Sequence, residues 1–269
     1  MNRHPLGKGR QTLGPRSFLL PVPSLLWLLL PAVLWAFLTN STLRAASDFD
    51  QARKAYEQGD LPGAVAGFER ALQGAPGGVG VLYNLGNARY RQGEMGRALA
   101  AWRQAQWITP RDPALRHNLD LIRRRLNQPE PPFWRRWLAW FTLDEWAVSA
   151  VVLVWAWSLW RIVVRFRPRS ADSLSGIRGA LGLVAAAVLV AWVSAWVCAF
   201  HGPNAAIAGR EVPARYGPLE ESDVAVTFTD GTEVRVEQSR NGWVRVVDAE
   251  GRGGWVQGLQ VARHHPRIP

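Results

Sequence analysis

"YNLGNARYRQGEMGRALAAWRQAQWITP", residues 83–110, is the second copy of a pattern already met in "AYEQGDLPGAVAGFERALQGAP", residues 55–76. The copies register at a spacing of 34 residues. Tyr56 falls on Tyr90, Gln58 on Gln92, Gly59 on Gly93 and Ala64 on Ala98; Phe68 falls on Trp102, Ala71 on Ala105 and Pro76 on Pro110. Each position has a physical reason in a pair of antiparallel helices. The glycine closes the turn between them, the alanines let them approach, the bulky aromatic fills the space alongside, and the proline ends the second helix. A third start, "LRHNLDLIRRRL" at 115–126, aligns Asn118 and Leu119 with Asn84 and Leu85 and reads as a capping helix without a partner helix.

This pattern strongly resembles a tetratricopeptide repeat. The resemblance implies that the first helix of each unit lines a concave groove that takes extended or helical peptide. By position, that face includes Phe49, Arg53, Tyr56, Tyr83, Asn84, Asn87, Tyr90, Arg91 and Asn118. Asparagine amides suit a peptide backbone because each carries donors and an acceptor. A plainer role is open to the same residues: Asn84 can satisfy its own helix, and Tyr83 and Tyr90 can pack between units. Two and a half repeats also make a shallow groove.

Three apolar stretches interrupt the chain. The first, residues 18–38, follows a basic start and precedes "TNSTLRAAS", so residues 1–46 read as a signal peptide or a signal anchor. Arg44 spoils the position three residues before a cleavage after Ala46. The second, residues 143–164, has no charge between Trp146 and Trp160, and the third, residues 179–200, has none at all. Both approach the length that crosses a bilayer core of about 30 Å. Two such runs this close predict a transmembrane hairpin; a buried soluble helix is the competing reading. The short connection, residues 165–178, is rich in arginine, as is the N-terminus. Both therefore stay cytoplasmic, which puts 47–142 and 201–269 in the periplasm. "PPFWRRWLAWF", within residues 129–142, reads as an amphipathic segment on the lipid surface, unless its tryptophans only pack on neighbouring helices.

Residues 204–265 alternate apolar and polar positions in about five short runs, punctuated by "TDGT", "RNGW" and "EGRGGW". Such spacing predicts a small all-β barrel. "VPARYGP", "DGTEVRV", "NGWVRV" and "GGWV" resemble bacterial SH3-like domains, whose relatives bind cell-wall peptides or proteins. On that likeness Tyr216 is the surface candidate, and Trp243 and Trp255 are expected to be core pillars.

Charge and composition close off other classes. The chain has 269 residues and a formal net charge of +11, yet much of the excess flanks apolar segments instead of collecting on a folded face. Nucleic-acid binding is therefore not expected. The five histidines keep no metal-ligand spacing with cysteine or carboxylate, and the single Cys198 lies in an apolar run. Phosphate-binding and nucleophile-elbow motifs are missing. Asp144 and Glu145 read as helix N-terminal charges. No enzyme, cofactor or metal site is expected.

The fold class that emerges is a multi-domain membrane protein. It combines an all-α repeat domain (47–128), a transmembrane α-helical hairpin and a small all-β SH3-like barrel. This order, with "YNLGNARYRQGEMGRALAAW", "NLDLIRRRL" and "LDEW", resembles the E-type proteins of bacterial aerotolerance (Bat) operons. The likeness implies a non-enzymatic scaffold acting beside von Willebrand A-domain membrane proteins and a MoxR-type ATPase, in contact with membrane lipid. The competing role is an envelope sensor or accessory protein holding cell-wall peptide. Hairpin tethering would bring two separate modules to high effective concentration for a shared partner.

Overall fold

The computed structural model describes residues 44–74, 77–166 and 175–264. The expected N-terminal signal segment and the centre of the arginine-rich connection lie outside these residues. Residues 44–57 are helical (α1), followed by α2 (Leu61–Gly74), α3 (Val79–Arg91), α4 (Met95–Ile108) and α5 (Pro113–Arg125). The short α6 (Phe133–Leu138) leads to two long helices, α7 (Leu143–Phe166) and α8 (Ser175–His201).

The 34-residue register reappears as matched burial. Ala64 and Ala98, Phe68 and Trp102, and Ala71 and Ala105 are each within 1 % of complete burial. Gly59 and Gly93 both sit at φ near +84° (83° and 84°), backbone that a side chain rarely adopts, so the turn requires glycine. The result is a helical repeat-like region with two linked cores. One gathers Ala52, Ala64, Phe68 and Leu85; the other gathers Leu82, Leu99, Trp102, Leu115 and Ile122. At α5, Asp112 caps the helix by accepting from Ala114 N and Leu115 N, with Pro113 at the first helical position.

Helices α7 and α8 pack on each other and are long and apolar enough to cross a membrane. The apolar spans are Leu143–Val163 and Gly179–His201, with mean hydropathy 1.6 and 2.3. Only 6 % of each span is buried in the protein, whereas a core helix of a soluble domain would be mostly covered. Both helices extend into the stretch expected as loop, which shortens the connection. The start of α7 is a capping box: Glu145 N donates to Thr142 Oγ1 at 3.1 Å, and Thr142 N donates to Glu145 Oε2 at 2.9 Å.

The C-terminal module is a seven-stranded antiparallel sheet: β1 (Ala205–Ile207), β2 (Glu211–Arg215), β3 (Val224–Thr229), β4 (Glu233–Arg240), β5 (Trp243–Val247), β6 (Gly253–Gln257) and β7 (Val261–Arg263). Their order is β3-β2-β6-β5-β4-β1-β7. Two strands more than the alternation announced are present, the three-residue β1 and β7. The sheet wraps one core of Ile207, Val212, Phe228, Val234, Val244, Val246 and Val256. Asn241 and Gly242, both at positive φ, close the β4–β5 hairpin in the sense its twist favours.

The repeats and the sheet pack directly on each other, in addition to the tethering expected from the hairpin. Ala206, in β1, belongs to the core of the repeats, while its neighbours Ala205 and Ile207 belong to the core of the sheet. Strand β1 is thus buried on both faces, between the sheet and α4.

Candidate functional site

The seam between the modules is built around the N-terminus of α4. Glu94, its N-cap residue, makes no capping bond with its side chain. The missing acceptor comes from the β3–β4 turn. Asp230 Oδ2 accepts from Met95 N at 2.8 Å, and Oδ1 accepts from Gly96 N at 3.1 Å and from Gly209 N at 3.1 Å. The helix end thus finds a carboxylate, favoured there by both hydrogen bonding and the helix dipole. A Cβ on Gly96 would lie 1.7 Å from the Ile207 carbonyl oxygen, so the approach of β1 needs glycine. Further along, Arg103 Nε donates to Glu233 Oε1 at 2.9 Å, Gln104 Nε2 to the Arg263 carbonyl at 2.8 Å, and Gln128 Nε2 to the Gly231 carbonyl at 2.9 Å. Burial pushes the Glu233 carboxyl up, but Arg103, His264 and Arg123 together hold it below its ordinary value. Two clefts of about 240 and 260 Å³ open along the seam and share Arg97.

Because α4 carries the sheet, the first helices of the units, α1, α3 and α5, keep the candidate groove residues on other surfaces. Several of these residues hold one another. Asn118 Nδ2 donates to Asn87 Oδ1 at 3.0 Å, joining α5 to α3, and one polar atom of each amide is used in this bond. Asn84 Nδ2 donates to the Gly80 carbonyl at 2.8 Å, within its own helix. Tyr83 and Tyr90 pack against the repeat core, and the Tyr90 ring lies 5.6 Å from that of Trp102. Phe49 packs on Phe68, and Tyr56 on the same core. Arg53 is exposed beside Asp50.

One feature of this face went unread in the sequence. The Arg91 guanidinium stands 4.8 Å over the Tyr56 ring, and Arg125 stands 5.6 Å over Tyr90. Arg125 Nη1 also donates to the Tyr90 hydroxyl at 2.8 Å. The two pairs are one repeat apart, so cation–π contacts link successive units in the same way.

In the sheet module, Tyr216 is 75 % exposed, at the start of the β2–β3 loop, with Leu219 exposed beside it. Trp243 and Trp255 are not core pillars. They alternate with the buried Val244 and Val256 and therefore stand on the opposite face of the sheet, half-buried. Trp255 pairs in register with Arg215 on one side and Arg245 on the other. The loop is tied over this face where Arg215 Nη1 donates to the Ser222 carbonyl at 2.6 Å and Gln257 Nε2 to Glu220 Oε1 at 3.1 Å. An aromatic face rimmed by arginine and an exposed tyrosine is suited to stacking on peptide or sugar-peptide ligands.

Among the described residues no group of three or more His, Cys, Asp or Glu is arranged to hold a metal ion. The architecture therefore combines a helical repeat-like region, a pair of long apolar helices and an antiparallel β module of the kind that binds proteins or cell-wall peptides. Residues 208–261 match the bacterial SH3 domain family. No curated protein matches the chain.

Proposed function

We propose that the protein is a non-enzymatic scaffold of the bacterial inner membrane whose repeats and SH3-like module bind protein partners in the periplasm, in an aerotolerance or envelope-stress complex. The tetratricopeptide identity of the repeats and the likeness to E-type Bat proteins belong to this reading, as do von Willebrand A-domain and MoxR-type partners. The seam is the observation that carries it. If α7 and α8 are spanning helices, Asp230 can reach Met95 only when residues 142 and 202 lie on the same side. An even number of crossings satisfies this, and the arginine placement supports the periplasm as that side. A docked body with a half-buried groove face and an exposed Tyr216 loop offers two surfaces in fixed relation. Fixed relation is what a scaffold needs, and it adds to tethering as a source of joint binding.

Alkaline phosphatase fused after Pro269 tests the topology: activity is expected, and an inactive fusion overturns the orientation. Co-purification of the detergent-solubilised chain with von Willebrand A-domain proteins tests the partner class. A second reading has its own observation, the Trp243–Trp255 face beneath the Tyr216 loop. On that reading the SH3-like module grips peptidoglycan. Sedimentation of the solubilised chain with purified sacculi would favour it over a purely protein-binding scaffold.

A further inference from the structure

We propose that α6 and the aromatic residues following it form a platform that rests in the phospholipid headgroup layer and fixes the tilt of the docked body above the membrane. The proposal rests on the spanning role of α7 and α8. Five aromatic side chains are exposed within nine residues: Phe133 (82 %), Trp134, Trp137, Trp140 and Phe141. Arg135 and Arg136 are interleaved with them, and the Arg135 guanidinium lies 5.3 Å from the Trp134 ring centre. Rings that reach the acyl boundary beside guanidinium groups that hold phosphate match the chemistry of the headgroup layer. Tryptophan and arginine also suit protein interfaces, but a patch held at the end of a spanning helix meets lipid headgroups first.

The position of the platform follows from the hairpin. The span Leu143–Val163 has 21 residues, and at about 1.5 Å per residue it equals the roughly 30 Å hydrocarbon core. Residues 133–141 therefore lie at its edge. They are also fastened there. Trp146 Nε1 donates to the Leu138 carbonyl at 3.1 Å, and Leu138 and Trp146 share a core with Ala191 and Ala195 of α8.

The repeats grip the same patch from the other side. Arg116, in α5, stands 5.2 Å over the Trp140 ring, and Arg111 stands 5.7 Å over Phe141 while pairing with Glu145. The aromatics that meet lipid thus also seat the repeat module, so its height and tilt are set by the membrane surface.

The test places a spin label on the full chain in phospholipid nanodiscs, one copy per disc, in a Cys198→Ala background. Labels at Phe133→Cys, at Trp155→Cys in mid-span and at Arg240→Cys on the exposed hairpin are compared for collision with oxygen and with a water-soluble nickel complex. The platform predicts that the label at 133 is several-fold less accessible to nickel than the one at 240 and less oxygen-rich than the one at 155. Equal nickel access at 133 and 240, with 155 still in lipid, overturns the platform and leaves the spanning reading intact. Nickel access at 155 overturns both. Arg111→Ala/Arg116→Ala should leave the label at 133 in the headgroup layer but broaden the distance from residue 240 to a headgroup-bound acceptor. An unchanged distance overturns the coupling of platform to repeats.

Discussion

The second helices of the two repeat units, α2 and α4, begin differently. Before α2 stands Asp60, whose Oδ1 accepts from Gly63 N at 3.0 Å, a self-contained cap. The register puts Glu94 at the equivalent place before α4. Glu94 does not cap. It accepts instead from Arg89 Nη1 at 2.7 Å, and Arg89, nearly buried, is also paired with Glu69 of α2. The α4 N-terminus takes its acceptor from Asp230, 135 positions later. One added methylene separates the residue types. Asp is short enough to turn back on its own helix, whereas Glu reaches sideways to an arginine and leaves the helix end for another module. A degenerate repeat is thereby adapted to carry a domain.

The comparison can be broken hardest at Gly96. A Gly96→Leu side chain meets the Ile207 backbone, which cannot yield, at an expected cost of upwards of about 3 kcal/mol to docking. The helix itself gains, since glycine is a poor helix former. Hydrogen exchange should show β1 and β7 unprotected while α3 and α4 stay protected; retained protection of β1 would contradict the seam. Asp230→Ala removes the borrowed cap and should cost about 1–2 kcal/mol, exposing the first turn of α4 to exchange. Asp60→Ala should cost about 1 kcal/mol and expose only the first turn of α2.

Acid sharpens the contrast further. Glu233 has a lowered value in the docked state, so its contribution is present in full above its ordinary value of 4.5 and is lost as pH falls through the lowered one. Docking should weaken in that window, and Glu233→Gln should remove the dependence while weakening docking at neutral pH. Repeat-core melting, followed by circular dichroism, should be less affected. The smallest effect belongs to Tyr216→Ala, which should move the melting temperature within the error of an exposed substitution, about 0.5 kcal/mol. Any loss of ligand binding in that variant then reports on the surface and not on the fold.

The helical repeats and the two apolar helices were legible because their signals are local and repeated: a period of 34, and runs of apolar residues longer than a soluble helix needs. The β module was legible as a class from its alternation. Its ends were not. "AAI" at 205–207 shows no alternation because the sheet core buries Ala205 and Ile207 while docking buries Ala206 between them, so the missing pattern is itself a mark of the seam. Trp243 and Trp255 misled because a tryptophan after a turn glycine gives no indication of which sheet face it takes. Asp230 was visible only as part of a turn, "TDGT", since nothing local marks a carboxylate that serves a helix far back in the chain. The Asn87–Asn118 bond and the recurring arginine–tyrosine pairs were not legible, because they need the packing of α3 on α5 and of α1 on α3.

The borrowed cap also imposes an order on biogenesis. Ribosomal synthesis delivers α4 first, then the apolar pair, and Asp230 later still. Until then the first turn of α4 presents open backbone donors, and the pocket awaiting Ala206 is unfilled. A chain that stops before residue 205 lacks this acceptor, so its α4 N-terminus is expected to be open to exchange and to proteolysis, which limited digestion of such a truncation would read.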